Sequence, residues 1–91
     1  LTFKNFDEVM KRANENVLGL CSYVYTTDLK KANKASEILE TGCVAVNTPA
    51  VAVAEAPFGG IKQTGYGREG GSMAIKDYLN IKYTHFGISY E

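Results

Sequence analysis

The sequence has no tryptophan, one histidine, two prolines and two cysteines in 91 residues, and each scarcity narrows what the chain can do. A single histidine, His85, leaves room for one imidazole pair at most. It stands on a terminal run without a neighbouring carboxylate, so a packed or surface role is expected of it. Cys21 and Cys43 are too far apart for a CxxC redox or zinc motif. Each lies in an apolar stretch, where a buried, reduced side chain is expected, and reduced cysteines fit the cytoplasm. Neither sign of charge is in excess, with ten Lys plus Arg against ten Asp plus Glu, which argues against nucleic acid as a partner and against a polybasic membrane anchor. No apolar run approaches the roughly 20 residues that span a bilayer. No metal site is expected, and the partners that remain are proteins and small molecules.

What is present is α/β patterning. Phe6, Val9, Met10, Ala13 and Val17 fall at i, i+3, i+4, i+7 and i+11, the stripe of an amphipathic helix over Phe6 to Glu15. Asn5 can cap it, with Glu8 at capping-box spacing, while Asn14 and Asn16 weaken the stripe. Leu20 to Thr26 is a strand rich in Tyr and Val, apolar on both faces as a covered central strand would be. Asp28 caps a second helix with an inner stripe of Leu29, Ala32, Ala35 or Ser36, and Leu39, and Gly42 is placed as its left-handed stop. Cys43 to Val46 is a second short strand. Strand, helix, strand with tight turns is a βαβ unit, which implies a parallel pair.

After Asn47 the prolines and the glycine series favour loop over residues 48–71, where a site is expected beyond the carboxyl ends of the strands. A third helix is expected from about Ser72 to Leu79. Ile81 to Ile88 alternates as a terminal strand, with Tyr83 and His85 on one face and Phe86 on the other. Gly65-Tyr66-Gly67-Arg68-Glu69-Gly70 matches G-x-G-x-x-G, but a dinucleotide fingerprint needs a strand immediately before it and an acidic residue about 20 positions later. A tight backbone turn is the better reading, so no cofactor is expected to bind this chain. Asp77 and the other helix carboxylates are expected to be solvated, and Glu55 is the one acid near a plausible pocket.

The run Ala56-Pro57-Phe58-Gly59-Gly60-Ile61-Lys62-Gln63-Thr64-Gly65-Tyr66-Gly67-Arg68-Glu69-Gly70 resembles the C-terminal signature of the aldehyde dehydrogenase family. The resemblance extends over Asp7 to Asn14, Gly19-Leu20, Gly42 to Asn47 and Asp77 to Tyr83, and its details are most similar to the succinate-semialdehyde branch. It implies that residues 1–79 close the catalytic domain, and that 80–91 form a strand of the oligomerisation region. The opening Leu1-Thr2-Phe3, with no Met and no leader, agrees with a piece of a longer chain. The alternatives are an aldehyde dehydrogenase of different aldehyde specificity and a free-standing interaction module that kept the fold and lost the chemistry.

In such an enzyme a cysteine thiolate attacks the aldehyde, NAD or NADP takes the hydride, and water activated by a glutamate hydrolyses the thioester. The resemblance places those groups upstream, so the chain alone is expected to be inactive. Onto this sequence it carries Phe58 as a wall of the substrate pocket, Asn47 at the strand exit and the 48–56 loop as substrate rim. Ala52 stands where the branch usually has a serine that holds the substrate carboxylate. Arg68, Asn80, Lys82, Tyr83 and Phe86 are implied at a subunit interface, with Asn80 replacing the usual Glu partner of Arg68. Self-association through the terminal strand is expected.

Overall fold

The structure is a computed structural model that describes residues 2–89. Its first element, α1, spans Phe6–Asn14 and starts where Asn5 Oδ1 accepts from Glu8 N at 3.1 Å, satisfying one of the orphan donors of the first turn. Glu8 itself turns outward toward Arg12, 3.7 Å away. Of the expected stripe, Met10 is buried and Phe6 and Val9 pack beside it, whereas Ala13 and Val17 are exposed.

Two short strands come next, β1 at Leu18–Gly19 and β2 at Cys21–Val24, where the sequence suggests one longer strand. The second helix, α2, spans Leu29–Ile38 and is capped as expected, Asp28 accepting from the amides of Lys30 and Lys31. Ala32, Ala35 and Leu39 point inward, but Leu29 is exposed. Strand β3, Cys43–Val46, pairs parallel with β2, and β4, Ile61–Lys62, pairs antiparallel with β1. The core cluster is Met10, Ala35 and Leu39, packed by Val24, Ile38 and Val44. Asn14 straps the two helices across it: its side chain donates to Ile38 O at 2.8 Å and accepts from Glu40 N at 2.9 Å.

Gly42 is not left-handed, since the positive-φ glycines are Gly65, Gly67, Gly70 and Gly71. Its role is close approach, because a Cβ there would lie 1.7 Å from Gly59 O. The third helix is a 3-10 turn over Ala74–Tyr78 rather than an α-helix. Ile81 to Ile88 forms no strand among the described residues; its alternation is present, but no free edge lies beside it, and a ladder needs two strands. Ile81, Tyr83 and Phe86 are 103%, 84% and 83% exposed. Leu1, Tyr90 and Glu91, the ends of the two expected segments 1–79 and 80–91, lie outside the described residues.

The chain exposes 7669 Å², against about 5200 Å² for a compact monomer of 9.9 kDa. Its radius of gyration is 19.7 Å, where a compact chain of this length has about 12 Å. A two-stranded parallel pair with open faces, continued by an uncovered terminal segment, accounts for both. Parallel strands are ordinarily buried on both sides, and here Tyr23 and Tyr25 stand more than half exposed.

Candidate functional site

The segment from Ala56 to Asp77 is fixed mainly by backbone. Phe58 and Glu69 exchange both main-chain hydrogen bonds at 2.7 Å, which closes the intervening residues into a loop. Gly59 is pressed between Gly42 on one side and Gly67 and Arg68 on the other, with no room for a side chain. The Arg68 guanidinium donates through Nη1 to Gly60 O at 2.8 Å and Gly67 O at 2.7 Å. Arg68 N in turn donates to Asp77 Oδ2 at 3.0 Å, so Asp77 is a ligand of the loop backbone and not the freely solvated carboxylate expected of it.

Lys62 ties the other end of this segment to the helices. Its Nζ donates to Asn14 O at 2.9 Å and Asn16 O at 3.2 Å, and reaches Glu40 Oε2 at 2.7 Å. Lys62 takes a left-handed φ of 56°, an uncommon conformation for a residue with a Cβ. Thr64 Oγ1 accepts from Gly19 N at 2.9 Å. Spacing alone does not reveal these roles of Lys62, Thr64 and Asp77, because each acts on a backbone group that only the folded chain brings near.

Two clefts border this frame and a third lies apart from it. Phe58, half-buried, lines one of about 360 Å³ together with Leu20, Thr64, Arg68 and Tyr78. A second, of about 310 Å³, lies between β3 and the 48–57 loop and is lined by Cys43, Ala45, Thr48, Val51 and Pro57. The third, of about 610 Å³, is an apolar groove between α1 and β2, with Phe6, Met10, Val24 and Leu39 on its walls. Neither Asn47 nor Ala52 lines any of the three, nor does Glu55. The structure therefore does not gather Asn47, Ala52 and Phe58 in one cavity.

Asn47 is occupied structurally. Its φ is 57°, its Oδ1 accepts from Thr26 N and its Nδ2 donates to Thr26 O, both at 2.9 Å. The side chain thus clamps the carboxyl ends of β2 and β3 together. Ala52 is exposed in a loop that folds on itself through Ala56 N to Val53 O and Gly71 N to Ala54 O. Asn80, Lys82, Tyr83 and Phe86 are all exposed on the terminal segment, and the Tyr83 hydroxyl meets His85 Nδ1 at 3.1 Å.

Gly65, Gly67 and Gly70 have φ of 103°, 121° and 72°, and the next element in the chain is a five-residue 3-10 turn. A pyrophosphate needs the amides at the start of a helix that leaves a strand, and these residues do not provide it. The fit to a dinucleotide fails on geometry. Among the described residues, no group of three or more His, Cys, Asp or Glu is arranged to hold a metal ion, and no helix is long and apolar enough to cross a membrane. The cysteines depart from the expectation of two separate buried thiols. Both are half-buried and free, and they face each other as register partners across β2 and β3.

The glycine-rich loop that carries Phe58 lies at the amino ends of the parallel pair, where Gly59 meets Gly42 just before β3, not beyond the carboxyl ends where the sequence leads one to expect a site; it is a scaffold for a pocket. The aldehyde dehydrogenase family profile matches residues 1–84, and the chain belongs to that family. Over 85 residues, 93% of this chain and 18% of the relative, it is 51% identical to the 3-sulfolactaldehyde dehydrogenase of Pseudomonas putida. Over 86 residues, 94% of this chain and 18% of the relative, it is 44% identical to the NADP(+) succinate-semialdehyde dehydrogenase of Escherichia coli K12. The crystal structure of succinate-semialdehyde dehydrogenase from Burkholderia pseudomallei superposes with a TM-score of 0.87 at 40% identity, covering 92% of this chain and 17% of that one. The chain thus spans about 18% of the length of the curated relatives it matches.

Proposed function

We propose that this chain closes the catalytic domain of an NAD(P)-dependent aldehyde dehydrogenase acting on a small aldehyde with an acid group at its far end, succinate semialdehyde foremost. The observation that carries this reading is the fixing of Phe58. Paired hydrogen bonds to Glu69 hold it from one side and the Gly42 to Gly59 approach holds its neighbour from the other. A backbone held in this way presents the half-buried Phe58 side chain to its cleft as an apolar wall against which an aldehyde chain packs. Relatives named for 3-sulfolactaldehyde, succinate semialdehyde and glutarate semialdehyde share 42% to 51% identity with it, and each name joins an aldehyde to an acid.

The reacting cysteine, the general base and the cofactor-binding half are supplied by other parts of such an enzyme. When bound, NAD(P) accepts the hydride. The residues present here shape and exclude: Phe58 walls one cleft, the 48–56 loop that carries Ala52 borders a second, the rest of such an enzyme joins the two into one pocket, and Asn47 sets the strand ends from which that loop departs. The chain by itself is therefore inactive. The protein works in the cytoplasm, where Cys21 and Cys43 stay reduced at rest. The 80–91 segment, exposed over residues 80–89, pairs with another subunit, with Arg68, Asn80, Lys82, Tyr83 and Phe86 at that interface.

The test is a comparison of kcat/KM for succinate semialdehyde and for an uncharged aldehyde of equal length, in the full-length protein and in Phe58→Ala. The wild type prefers the acid, and Phe58→Ala raises KM for both by about tenfold, about what removing one buried aromatic contact costs. A wild type without preference for the acid refutes the substrate class, and an unchanged KM in Phe58→Ala refutes the wall.

A further inference from the structure

We propose that Cys21 and Cys43 form a cross-strand dithiol that a small disulfide oxidises to an intramolecular disulfide. Twenty-one residues separate them in the sequence, yet they are the first register pair of the parallel β2 and β3 ladder. Register partners project to the same face of a sheet from strands about 4.8 Å apart, and disulfides form across Cα separations of about 4.4 to 6.8 Å. Both thiols are half-buried, so a small reagent reaches them.

The surroundings support the pairing. Cys43 Sγ points at Gly59 O, 3.8 Å away. Burial, then the adjacent Cys43 thiol, pushes the Cys21 pKa up from its ordinary value, with the Tyr23 side chain opposing. The first attack is assigned to Cys43, whose Sγ lies beside the Gly59 loop. Its thiolate attacks one sulfur of the small disulfide, that S–S bond breaks, and one thiolate leaves. The Cys21 thiolate then attacks Cys43 Sγ, the mixed disulfide breaks, and the second small thiolate leaves. Two protein thiols are oxidised, one small disulfide is reduced to two thiols, and the two protons released by the protein are taken up by the leaving groups. The product staples β2 to β3 and removes the Cys43 S–H donor from Gly59, the neighbour of Phe58.

Cleavage after Arg12, Lys30, Lys34 and Lys62 puts Cys21 in peptide 13–30 and Cys43 in peptide 35–62. The full-length folded protein is incubated with excess glutathione disulfide, quenched with acid, alkylated and mapped by mass spectrometry. The expected result is a linked 13–30/35–62 peptide, two hydrogens lighter than its parts, about tenfold or more above either glutathionylated peptide, because the second attack is intramolecular. Cys21→Ser should trap the mixed disulfide on Cys43, with the fold checked by circular dichroism. The same treatment in urea should lose the linked peptide. Cysteines that stay reduced in the folded protein, cysteines that each carry glutathione, or a link formed equally in urea would each overturn the proposal.

Discussion

Replacing Gly42 with alanine tests whether the contact between the β3 entrance and the Gly59 loop holds the candidate site together. A Cβ at Gly42 would stand 1.7 Å from Gly59 O and 2.7 Å from Gly59 C. Both are backbone atoms, so no rotamer change relieves the clash, and the loop that carries Phe58 must move. Overpacking against side chains costs about 1 to 3 kcal/mol, and a rigid backbone neighbour puts this case at or above the top of that range. Two companion substitutions separate the causes. Gly65→Ala meets nothing within 4 Å but must adopt a φ of 103°, a strain of about 1 to 3 kcal/mol. Gly87→Ala meets nothing and has no positive φ, so it should change stability by less than about 0.5 kcal/mol. Thermal unfolding of the full-length protein should rank the losses as Gly42, then Gly65, with Gly87 near zero, and Gly42→Ala should also raise KM through Phe58. Equal melting temperatures for Gly42→Ala and the wild type would refute the reasoning.

Asn47→Ala should cost about 2 to 5 kcal/mol, from two lost hydrogen bonds at about 0.5 to 1.5 kcal/mol each and a left-handed φ that alanine resists by about 1 to 2 kcal/mol. Asn47→Gly should recover the conformational part alone, and urea titration of the two variants distinguishes them. Ala52→Ser should raise kcat/KM for succinate semialdehyde over an uncharged aldehyde by about tenfold if its hydroxyl gains a full hydrogen bond to the carboxylate. An unchanged ratio would mean that the 48–56 loop faces elsewhere. Lys82→Pro removes a ladder donor and restricts the terminal segment, so light scattering should show a smaller oligomer than wild type. The raised Cys21 pKa means that the folded chain keeps a proton that the unfolded chain releases near the ordinary value of 9.0, so stability falls as pH rises from there. Cys21→Ser should show a shallower loss than wild type in melts taken as pH rises from 9.0, where the window that the raised value opens begins.

Local chemistry was legible in the sequence. Asn5 and Asp28 cap the helices they were expected to cap, and Cys43 to Val46 is the strand expected of it. These features depend on neighbours a few residues away, where spacing carries the information. The misses share a different cause. Leu29 is apolar and in phase with Ala32, but its exposure depends on what the fold brings beside it. Gly42 sits where a helix stop belongs, and its actual constraint comes from Gly59. The Cys21 and Cys43 pairing depends on strand register, and the grip of Lys62 on Asn14 and Asn16 spans more than forty residues. Ile81 to Ile88 alternates as a strand should, and a strand without an edge to join stays unpaired. Of the candidate site, the proline and glycine series marks residues 48–71 as loop, which β4 and the Phe58–Glu69 bridge interrupt, and the clamp made by Asn47 is visible only once Thr26 lies beside it.

NAD(P)H formation, followed by absorbance for the full-length protein and for residues 1–91 alone with succinate semialdehyde and either NAD or NADP, tests the central claim most directly. The full-length protein should reduce the cofactor, and the isolated chain should give no signal above background at any enzyme concentration. Turnover by the isolated chain, or none by the full-length protein with any small aldehyde, would contradict the account.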